Sequence, residues 1–565
     1  MEDVSYLIAR FLKERSVDRV FSLCGGHILP IWDPIHQLGI RIIDVRDERA
    51  AVHMAHAHRE LTGLPGVALV TAGPGLTNAV TGIANAHVSR VPILVISGVP
   101  PRPQENMGAL QAVPQADMVR PITRYARTIF SAEHVLRELD EAMSCAEGHC
   151  GEPGPAFIDF PTDLLRESIS GIRLDPSRFR AREPAGLVPS PERMDAAIDI
   201  LWHAKRPLVI SGRGARGAET GLLRLLDALE CIYMDTGESR GLVPEDHPAY
   251  MPAVRGRAMQ EADAVLTIGR TLDFQLGYGS GAVFPNARFV RVGNSASELR
   301  GNRRADAELM GSSQEILEAL VAAAKGQMPM TDASWVEEMR SVDQRRRQGL
   351  MKKLTEAPPG KDGAMHPYRL LGCVRESIKE DAVVIADGGD FLSFSRIALA
   401  GGAYLDCGAF GCLGVGVPFG IAAALAFPQK QVVVLSGDGS FGFNAIELDT
   451  CRRHQARAVF IVANNAGWNI ERNDQKEAYG SRIVGTELAG CDYAMFARSL
   501  GVHGERIEDP EDLPEAIRRA LDRAPALLDV VVTRDAVSPD AVAGLPGIPD
   551  RQALSTWDEW ETREA

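Results

Sequence analysis

The sequence lacks the features that mark membrane-spanning, secreted and disulfide-rich proteins. No run of about 18 apolar residues occurs, which excludes an ordinary transmembrane helix. The nine cysteines are scattered and contain no CxxC pair, so neither a disulfide framework nor a structural zinc site is expected. The N-terminus has no basic leader followed by an apolar core, and we therefore expect a cytoplasmic protein without a signal peptide.

Positive charge is also in short supply. The chain has 61 Lys and Arg against 75 Asp and Glu, a net charge of -14, which disfavours nucleic acid and anionic membranes as partners. Apolar residues make up 45% and charged residues 24%, an ordinary globular composition that excludes a disordered, collagen-like or coiled-coil chain. At about 150 residues per domain, the length predicts roughly three to four domains.

Short β-branched runs alternate with helix-length segments along most of the chain. Examples are GVALVTA (66–72), QVVVLSGDG (431–439) and AVFIVANN (458–465). Apolar runs of this length are typical of buried parallel strands that are joined by helical crossovers. The sequence therefore predicts an α/β fold with three domains, each built on a mainly parallel sheet flanked by helices.

Two stretches read as linkers between these domains. Residues 171–192 are rich in Pro, Arg and Gly, and residues 326–365 join a charged helical piece to APPGKDGAM. We therefore predict three domains and a tail, at 1–170, 190–325, 365–535 and 536–565. The first and third domains share a strand–helix character that would fit a distant internal duplication. Apolar side chains such as Trp557 and Trp560 suggest that the tail packs over a site, and a passive terminus is the alternative.

The segment from 431 to 470 carries the clearest chemical pattern. One buried strand ends in GDGS (437–440), and the next strand ends in NN (464–465). A right-handed βαβ unit places both strand ends at the same edge of the sheet. There Asp438 and Asn465 offer oxygen ligands to Mg²⁺, and the glycines admit a phosphate close to backbone N–H groups. The pattern predicts a magnesium–diphosphate site, with a tight turn and a polar loop as the alternative.

This GDG–NN spacing resembles the diphosphate-binding signature of thiamine-diphosphate enzymes. Nearly the whole chain is similar to the acetolactate synthase and benzaldehyde lyase branch of that superfamily. The resemblance implies pyrimidine-binding, central nucleotide-binding-like and diphosphate-binding domains, with thiamine diphosphate and Mg²⁺ as cofactors. It implies a homodimer or homotetramer with active sites at the subunit interface. The Mg²⁺ ligands and diphosphate contacts that it implies are Asp438, Asn465 and the Gly467 carbonyl, with Gly388, Gly389, Asp390, Gly437, Gly439 and Ser440.

The pyrimidine half of the cofactor has its own implied contacts. In IIDVRDERAAVHMA, Glu48 matches the acid that bonds to the pyrimidine ring and promotes loss of the cofactor's C2 proton. The alternative is a helix N-terminal acid that the macrodipole favours. In VTAGPGLTNAV, Pro74 and Asn78 match pyrimidine contacts. In GAFGCLGVGV, the Gly411 carbonyl matches an acceptor for the 4'-amino group, and Leu413 matches the wedge beneath the two rings.

The substrate side is similar to two enzymes of the branch. CGGHILPIWD places His27 where benzaldehyde lyase carries an active-site histidine. GALQAVPQADMVRP places Gln111 at the active-site glutamine of that enzyme and of acetolactate synthase. We expect His27 to relay a proton on the substrate oxygen and Gln111 to orient that oxygen, and a structural loop histidine is the alternative. LDFQLGYG, NNAGWNIERNDQ and the tail PDRQALSTWDEWE look most like bacterial 2-hydroxyacyl-CoA lyases.

The central domain contains one further motif. GRGARG (212–217) has GxGxxG spacing and follows a predicted strand. We predict that it holds ADP or the adenine end of coenzyme A, with Arg213 and Arg270 near the phosphates. FAD is not expected, because GRTLDFQLGYG lacks the second basic residue that the FAD-contact segment carries in acetolactate synthase. An ordinary strand–helix turn is the alternative.

These observations favour one function over two others. The preferred hypothesis is a thiamine-diphosphate-dependent lyase that cleaves, or in reverse forms, the C–C bond of a 2-hydroxyacyl-CoA, giving formyl-CoA and an aldehyde or ketone. The first alternative is a CoA-independent carboligase or decarboxylase that acts on 2-ketoacids or 2-hydroxyketones. The second is a non-catalytic protein of the same fold, which the presence of Glu48, Asp438 and Asn465 disfavours.

Overall fold

The computed structural model describes residues 3–170, 175–181, 187–399 and 402–542. Its first sheet contains β1 (Arg19–Ser22), β2 (Arg41–Asp44), β3 (Gly66–Val70), β4 (Ile93–Val99), β5 (Tyr125–Thr128) and β6 (Ala156–Pro161). The helices of this part are α1 (Val4–Glu14), α2 (Leu29–Gln37), α3 (Glu48–Thr62), α4 (Pro74–Val88), α5 (Gln115–Val119), α6 (Val135–Ala146) and α7 (Thr162–Leu165).

The second sheet lies in the middle of the chain. Its strands are β7 (Pro207–Ser211), β8 (Ile232–Met234), β9 (Ala264–Ile268), β10 (Arg288–Gly293) and β11 (Ala307–Met310). The helices are α8 (Pro191–Trp202), α9 (Glu219–Leu229), α10 (Arg255–Glu261), α11 (Ala296–Arg300), α12 (Ser313–Ala323) and the long α13 (Ala333–Glu356), which leads towards the third sheet.

The third sheet occupies the C-terminal part. Its strands are β12 (Val383–Asp387), β13 (Ala403–Leu405), β14 (Val432–Gly437), β15 (Ala458–Asn464), β16 (His503–Ile507) and β17 (Ala526–Val531). The helices are α14 (Pro367–Ser377), α15 (Asp390–Ala398), α16 (Gly416–Ala426), α17 (Asp438–Gly442), α18 (Leu448–Arg453), α19 (Asn469–Ala478), α20 (Tyr493–Ser499), α21 (Leu513–Asp522) and α22 (Pro539–Val542).

All three sheets are parallel. Their strand orders are β2-β1-β3-β4-β6-β5, β11-β10-β9-β7-β8 and β13-β12-β14-β15-β17-β16. The predicted α/β fold is therefore confirmed. Each sheet falls inside one of the three predicted domains, while the domain boundaries stay predictions. The tail prediction concerns Trp557 and Trp560, which lie outside the described residues. Within the described ranges, the structure contains no helix that is long and apolar enough to cross a membrane.

Helix α16 joins the first and third parts of the molecule. Its sequence, GVPFGIAAALA, is apolar on every side, and all but one of its residues are buried. A helix of this kind needs packing partners around its whole circumference. One side covers β12, β14 and β15, and the other packs on α3. Phe419 contacts the rings of His53 and His56 on α3, at centroid distances of 6.1 and 5.1 Å.

Candidate active site

The ends of β14 and β15 bring two predicted metal ligands to one sheet edge. The strands are adjacent and parallel, with Gly437 opposite Ala463. Asp438 begins α17 and is buried, and its Oδ2 accepts a hydrogen bond of 3.1 Å from the Gly467 amide. Asn465 follows β15, and its Oδ1 is buried and has no hydrogen-bond partner among the residues that the structure describes. A buried carboxylate beside a free amide oxygen fits a hard cation such as Mg²⁺.

The electrostatics of this edge also fit a cation. Burial raises the pKa of Asp438 to about 6, although hydrogen bonds from the amides of Gly439 and Gly467 oppose the change. A buried carboxylate whose described partners are backbone amides loses the solvation of its charge. A bound cation would restore the ionised form, because the charge is then paired.

The two asparagines of the NN motif have different surroundings. The Asn464 amide nitrogen donates to Oδ1 of Asp529 at 2.9 Å and to the Cys491 carbonyl at 3.0 Å. Asn464 therefore fixes the end of β15 to the neighbouring strand β17. The backbone carbonyl of Asn465 accepts from Arg534 at 2.6 Å. The Asn465 side chain is thus held in place by its backbone and keeps its amide oxygen for a ligand.

A small cavity of about 70 Å³ lies against these groups. It is lined by Leu413, the predicted wedge, and by all nine residues predicted for the diphosphate side of the site: Gly388, Gly389, Asp390, Gly437, Asp438, Gly439, Ser440, Asn465 and Gly467. They come from four separate stretches of the third part of the chain. The structure therefore brings together, around one cavity, residues that the sequence places up to about 80 positions apart.

Glu48 and Asn78 meet at the N-terminal ends of α3 and α4. Glu48 is the first residue of α3, directly after Asp47, whose side chain caps the helix by accepting from the Arg49 amide. The Glu48 carboxylate is buried and accepts a hydrogen bond of 3.1 Å from Asn78. Pro74 begins α4 one turn before Asn78. The predicted pyrimidine contacts are therefore neighbours, and Asn78 orients the carboxylate of Glu48.

His27 lies in the loop after β1 and contacts Gln111. Within the described ranges, its Nδ1 is buried and has no hydrogen-bond partner. Burial lowers the pKa of His27, and a hydrogen bond with the Gln111 side chain partly opposes this change. The imidazole is therefore neutral near pH 7 and can accept a proton at Nδ1.

The backbone around Gln111 is unusual. Gln111 adopts a φ of +63° and lies against Gly73, whose φ is +60°. A Cβ at Gly73 would lie 2.7 Å from the Gln111 carbonyl oxygen, so only glycine fits there. This close approach links the loop that ends at Pro74 to the segment that carries Gln111.

Sequence reasoning missed Gln115, which organises this half of the site. Its Oε1 accepts from the Gly73 amide at 2.6 Å, and its Nε2 donates to the Gly98 carbonyl at 3.1 Å and to Asp159 at 2.9 Å. Gly98 in turn packs directly on His27. The one available signal was an amide side chain at the start of α5, shortly after Gln111.

Asp387 is a second residue that sequence reasoning missed. It ends β12, and its buried carboxylate accepts from the Gly414 and Gly416 amides at 3.1 and 2.8 Å. Burial raises the pKa of Asp387 to about 6, and these amides oppose the change. Asp387 thereby holds the segment that contains Gly411 and Leu413, the two residues predicted to shape and bind the cofactor.

A much larger cavity adjoins the small one. It encloses about 1640 Å³ and lies between the central part, α13 and the third part. The two cavities share lining residues, namely Gly388, Gly389, Leu413, Ile470 and Glu471. Gly411 lines only the larger cavity. The diphosphate side of the site therefore borders a space that extends into the central domain.

Arg213 and Arg270 have carboxylate partners within the protein. Arg213 pairs with Glu60 at 2.7 Å, and the buried Arg270 pairs with Glu238 at 3.2 Å and with Asp273 at 2.8 Å. Neither arginine lines the large cavity. Their predicted role beside a nucleotide phosphate stays a prediction without support from these contacts.

The GxGxxG turn has a packing explanation of its own. A Cβ at Gly214 would lie 2.7 Å from the Gly269 Cα, so the turns after β7 and β9 touch through their glycines. Gly269 itself has a φ of +55°. This spacing of glycines is therefore required by backbone contact whether or not a nucleotide binds.

Comparison with known proteins gives a consistent result along the chain. Residues 2–118 match the N-terminal TPP binding domain of thiamine pyrophosphate enzymes, residues 194–320 match the central domain, and residues 391–530 match the C-terminal TPP binding domain. Thiamine pyrophosphate is another name for thiamine diphosphate. Each match falls on one of the three sheets, although the first ends before β5 and the third begins after β12.

Curated relatives extend over nearly the full length. A probable acetolactate synthase of Mycobacterium bovis is 35% identical over 533 residues, which cover 93% of this chain and 95% of the relative. The 2-hydroxyacyl-CoA lyase 2 of Caenorhabditis elegans is 32% identical over 562 residues, covering 92% and 87%. The human 2-hydroxyacyl-CoA lyase 2 is 31% identical over 577 residues, covering 93% and 89%.

Two features of the site agree with these matches. The parallel strands β14 and β15 present acid and amide side chains at one edge, and a buried glutamate begins α3 in the other six-stranded part. Relatives at this identity and coverage carry lyase or acetolactate synthase names, and both enzyme types act on C–C bonds. The chain belongs to the thiamine pyrophosphate enzymes and is a thiamine-diphosphate-dependent enzyme of C–C bond cleavage or ligation.

Proposed function

We propose that this enzyme is a Mg²⁺- and thiamine-diphosphate-dependent lyase of 2-hydroxyacyl-CoA thioesters. The observation that carries the proposal is the cavity of about 1640 Å³ beside the diphosphate site. Pockets for drug-sized ligands typically enclose roughly 300–1,000 Å³. A small 2-ketoacid would leave most of this space empty, whereas the long coenzyme A arm would use it.

Basic side chains in the cavity support a phosphorylated substrate. Arg255 lines it, and its guanidinium donates to the Gln275 carbonyl at 3.0 Å. Among the residues that the structure describes, Arg255 has no carboxylate within ion-pair distance. Burial, with the nearby Arg270 charge, lowers the pKa of Arg255 to about 10. Arg346 and Lys353 on α13 also line the cavity. A phosphate there would give the Arg255 charge a partner.

The proposed site residues have separate roles in binding the cofactor and in catalysis. Bound thiamine diphosphate supplies an electron sink for the carbanion that C–C cleavage produces. Asp438, Asn465 and the Gly467 carbonyl would hold Mg²⁺. Glu48, oriented by Asn78, would hold a proton against the pyrimidine. These four positions hold and orient the cofactor at its two ends.

Two further residues would handle the substrate. His27 would accept the proton of the substrate 2-hydroxyl group at Nδ1, the atom that is buried and unpartnered. Gln111 would orient the same oxygen through its amide. A neutral imidazole is the form that this proton transfer requires, and burial favours that form.

The proposal includes a dimer or tetramer with shared active sites. Exposed apolar side chains support it: Met107 and Leu110 flank the Gln111 segment with 74% and 77% exposure, and Phe443 and Ile446 follow α17. Such side chains on the surface are typical of subunit contacts. Glu48 of one chain would then face a cofactor whose diphosphate is held by the other chain.

Mixing two inactive variants tests this arrangement. Glu48→Gln and Asp438→Ala chains, co-expressed with different affinity tags and purified as the mixed dimer, have one intact site if the sites are shared between chains. We expect such a dimer to regain about half of the native activity per dimer, one site of two. A mixed dimer that stays inactive would show that each site lies within a single chain.

The second candidate is a CoA-independent carboligase or decarboxylase. The Mycobacterium bovis relative, named a probable acetolactate synthase, favours it. The same cofactor residues serve both reactions, so the cofactor half of the site does not separate them. The Arg255 cavity does, because of the two substrate classes only a thioester of coenzyme A carries phosphates.

The deciding assay supplies the holoenzyme with a panel of 2-hydroxyacyl-CoA thioesters and measures formyl-CoA and carbonyl release. Parallel reactions contain pyruvate and benzoin-type ketones. Formyl-CoA release supports the lyase, whereas turnover only in the parallel reactions assigns the enzyme to the CoA-independent group.

A pair of variants tests whether Arg255 binds a phosphate group of the substrate. Arg255→Gln should lower kcat/KM for a CoA thioester by about 10–100-fold through the lost charged hydrogen bonds. Arg257→Gln is the matched control, because Arg257 pairs with Glu261 and Glu338 and does not line the cavity. Equal effects of the two substitutions would contradict phosphate binding by Arg255.

A further inference from the structure

One segment of the third part makes polar contacts with the residues that lead into α3. The Arg453 guanidinium donates to the Asp44 carbonyl at 2.7 Å, and His454 contacts the Asp44 carboxylate at 2.8 Å. The Arg46 side chain pairs with Asp449 at 3.1 Å. Asp44 ends β2, and α3 begins four residues later. The short link that leads into α3 is therefore fixed from outside its own domain.

Glu447 is the buried member of this contact. Its side chain has no solvent exposure. The Arg46 backbone amide donates to both of its carboxylate oxygens, at 3.0 and 3.3 Å, and the Thr450 hydroxyl donates to Oε2 at 2.6 Å. Within the described residues, no cationic side chain forms an ion pair with Glu447. The protein therefore buries a carboxylate whose partners are a backbone amide and a hydroxyl group.

The position of that amide gives Glu447 its importance. Arg46 precedes Asp47, the N-cap of α3, and Glu48 is the first residue of the helix. The carboxylate thus lies beyond the positive end of the α3 dipole, which favours a negative charge. Loss of the carboxylate would remove the acceptor of the Arg46 amide and would free the link to move. Any movement of this link shifts the Glu48 backbone directly.

We infer that Glu447 is a positioning residue for Glu48, acting through the backbone of Arg46. This inference rests on the proposed role of Glu48 as the acid that faces the cofactor pyrimidine. Glu447 does not line either cavity and does not reach the cofactor itself. It sets the place from which Glu48 reaches the pyrimidine, and displacements of about 1 Å can cost roughly 10²-fold in rate.

The contact also joins two active sites of the proposed dimer along one short stretch of chain. Asp438 begins α17, and Glu447 follows nine residues later, immediately before α18. In the proposed dimer, Asp438 and Glu48 of one chain serve different sites. The segment that carries the Mg²⁺ ligand of one site therefore also fixes the acid of the other site.

The test measures loss of the cofactor C2 proton rather than product formation alone. Holoenzyme samples in deuterated buffer are quenched in acid, and NMR gives the exchange rate of the C2 proton of bound thiamine diphosphate. In Glu447→Ala we expect this rate and kcat to fall by about 100-fold, while KM and cofactor affinity stay close to native. Glu447→Gln keeps an acceptor for Arg46 and should recover the rate to within about tenfold of native.

Asp449→Ala is the matched control. It removes the ion pair with the Arg46 side chain but leaves the bond from the Arg46 amide to Glu447, so we expect a native exchange rate. Native exchange in Glu447→Ala would overturn the inference. Equal losses in Glu447→Ala and Asp449→Ala would also overturn it, because they would indicate general damage to the contact.

Two further variants complete the test. If Glu447→Ala does not fold, Glu447→Asp retracts the carboxylate by one methylene, and a native exchange rate in that variant overturns the inference. Glu48→Gln is measured in parallel. Native exchange in Glu48→Gln would remove the proposed role of Glu48, whereas lost exchange there with native exchange in Glu447→Ala would remove only the positioning role.

Discussion

The first and third sheets have the same topology and different chemistry. Both contain six parallel strands, and their orders are identical when strands are numbered within each part: 2-1-3-4-6-5. The central sheet has five strands and a different order. The equivalent helices α3 and α16, each following the second strand, pack against each other. The molecule therefore uses one architecture twice and joins the two copies through matching helices.

The residues of the site follow equivalent strands in the two parts. After the first strand come His27 in one part and Gly388 and Gly389 in the other. After the third strand come Pro74, which begins α4, and Asp438, which begins α17. The carboxyl ends of parallel strands are the usual place for a ligand in both cases. The loops, rather than the sheets, decide that one part binds a ring and the other a diphosphate.

A buried aspartate occupies the same strand position in the first and third sheets but has different partners. Asp159 is the fourth residue of β6, and Asp529 is the fourth residue of the equivalent strand β17. Both are fully buried. Asp529 accepts from Asn464 at 2.9 Å, from Arg506 at 2.8 Å and from the Tyr493 amide. Asp159 accepts from Gln115, and its Oδ1 lacks a hydrogen-bond partner among the described residues. In the described parts of the chain, the same position is therefore paired with a cation in the third sheet and with none in the first.

The largest expected effect is a loss of kcat, without a loss of cofactor affinity, when the pyrimidine half of the site is changed. Glu48→Gln should lower kcat by about 10²–10⁴-fold, because the neutral amide cannot hold the proton at the pyrimidine. Cofactor affinity should stay close to native, since the diphosphate is bound in the other part. Asp47→Asn is the control, because asparagine caps a helix as well as aspartate does. Native turnover of Glu48→Gln, measured by steady-state kinetics, would refute the acid assignment.

The second effect is a loss of affinity for thiamine diphosphate when the diphosphate half of the site is changed. Asp438→Ala and Asn465→Ala should each weaken Mg²⁺-dependent binding of thiamine diphosphate by more than about 100-fold, as measured by calorimetric titration, because even outer-sphere partners contribute 10–100-fold. Asn464→Ala is the matched control: it should lower Tm through the lost bond to Asp529 and leave Mg²⁺ affinity nearly intact. Normal titrations for Asp438→Ala would remove the metal site.

A smaller effect compares the equivalent aspartates. Asp529→Asn removes the charge that Arg506 and Asn464 contact. Because Arg506 is partly exposed and also pairs with Glu508, we expect the free energy of unfolding at pH 7 to fall by about 2 kcal/mol. Asp159→Asn, with no cation to release, should fall by less than about 1 kcal/mol or gain stability. Urea denaturation of both variants measures the difference. Equal losses would show that the two positions are energetically alike.

The smallest effect is a pH dependence. Burial raises the pKa of Asp159 from 3.8 to about 6, while its hydrogen bonds oppose the change. Between these pH values the native state binds more protons than the unfolded chain, so this group makes stability fall as pH rises from about 4 to 6. Asp159→Asn should remove this part of the pH profile, and an unchanged profile would contradict it.

Local patterns predicted the fold class and placed Asp438 and Asn465 at one sheet edge, whereas Gly388, Leu413 and Gly467 were predicted only through the family resemblance. Apolar runs such as 458–464 predict buried strands, and the adjacency of consecutive strands brings GDG and NN together. Gln115, Asp387 and Glu447 could not be found in this way. Each acts on a backbone amide far away in sequence, such as that of Arg46, and no local pattern records which amides remain without a partner.

The predicted role of Arg213 and Arg270 illustrates the same limit. Basic residues beside a glycine-rich turn suggest phosphate binding, but Glu60 comes from a different domain and pairs with Arg213. A motif gives the position of a charged residue in the sequence. It does not show which oppositely charged residue will form an ion pair with it in the folded protein.

Helix α3 also works as a spacer of fixed length. Glu48 begins it, and Glu60, near its other end, pairs with Arg213 of the central part at 2.7 Å. The two residues are separated by about 18 Å along the axis, at about 1.5 Å per residue. One inserted residue would turn one end by about 100° relative to the other. In evolutionary terms, surface loops of this enzyme are free to grow, whereas α3 tolerates exchanges of residues but not a change in their number.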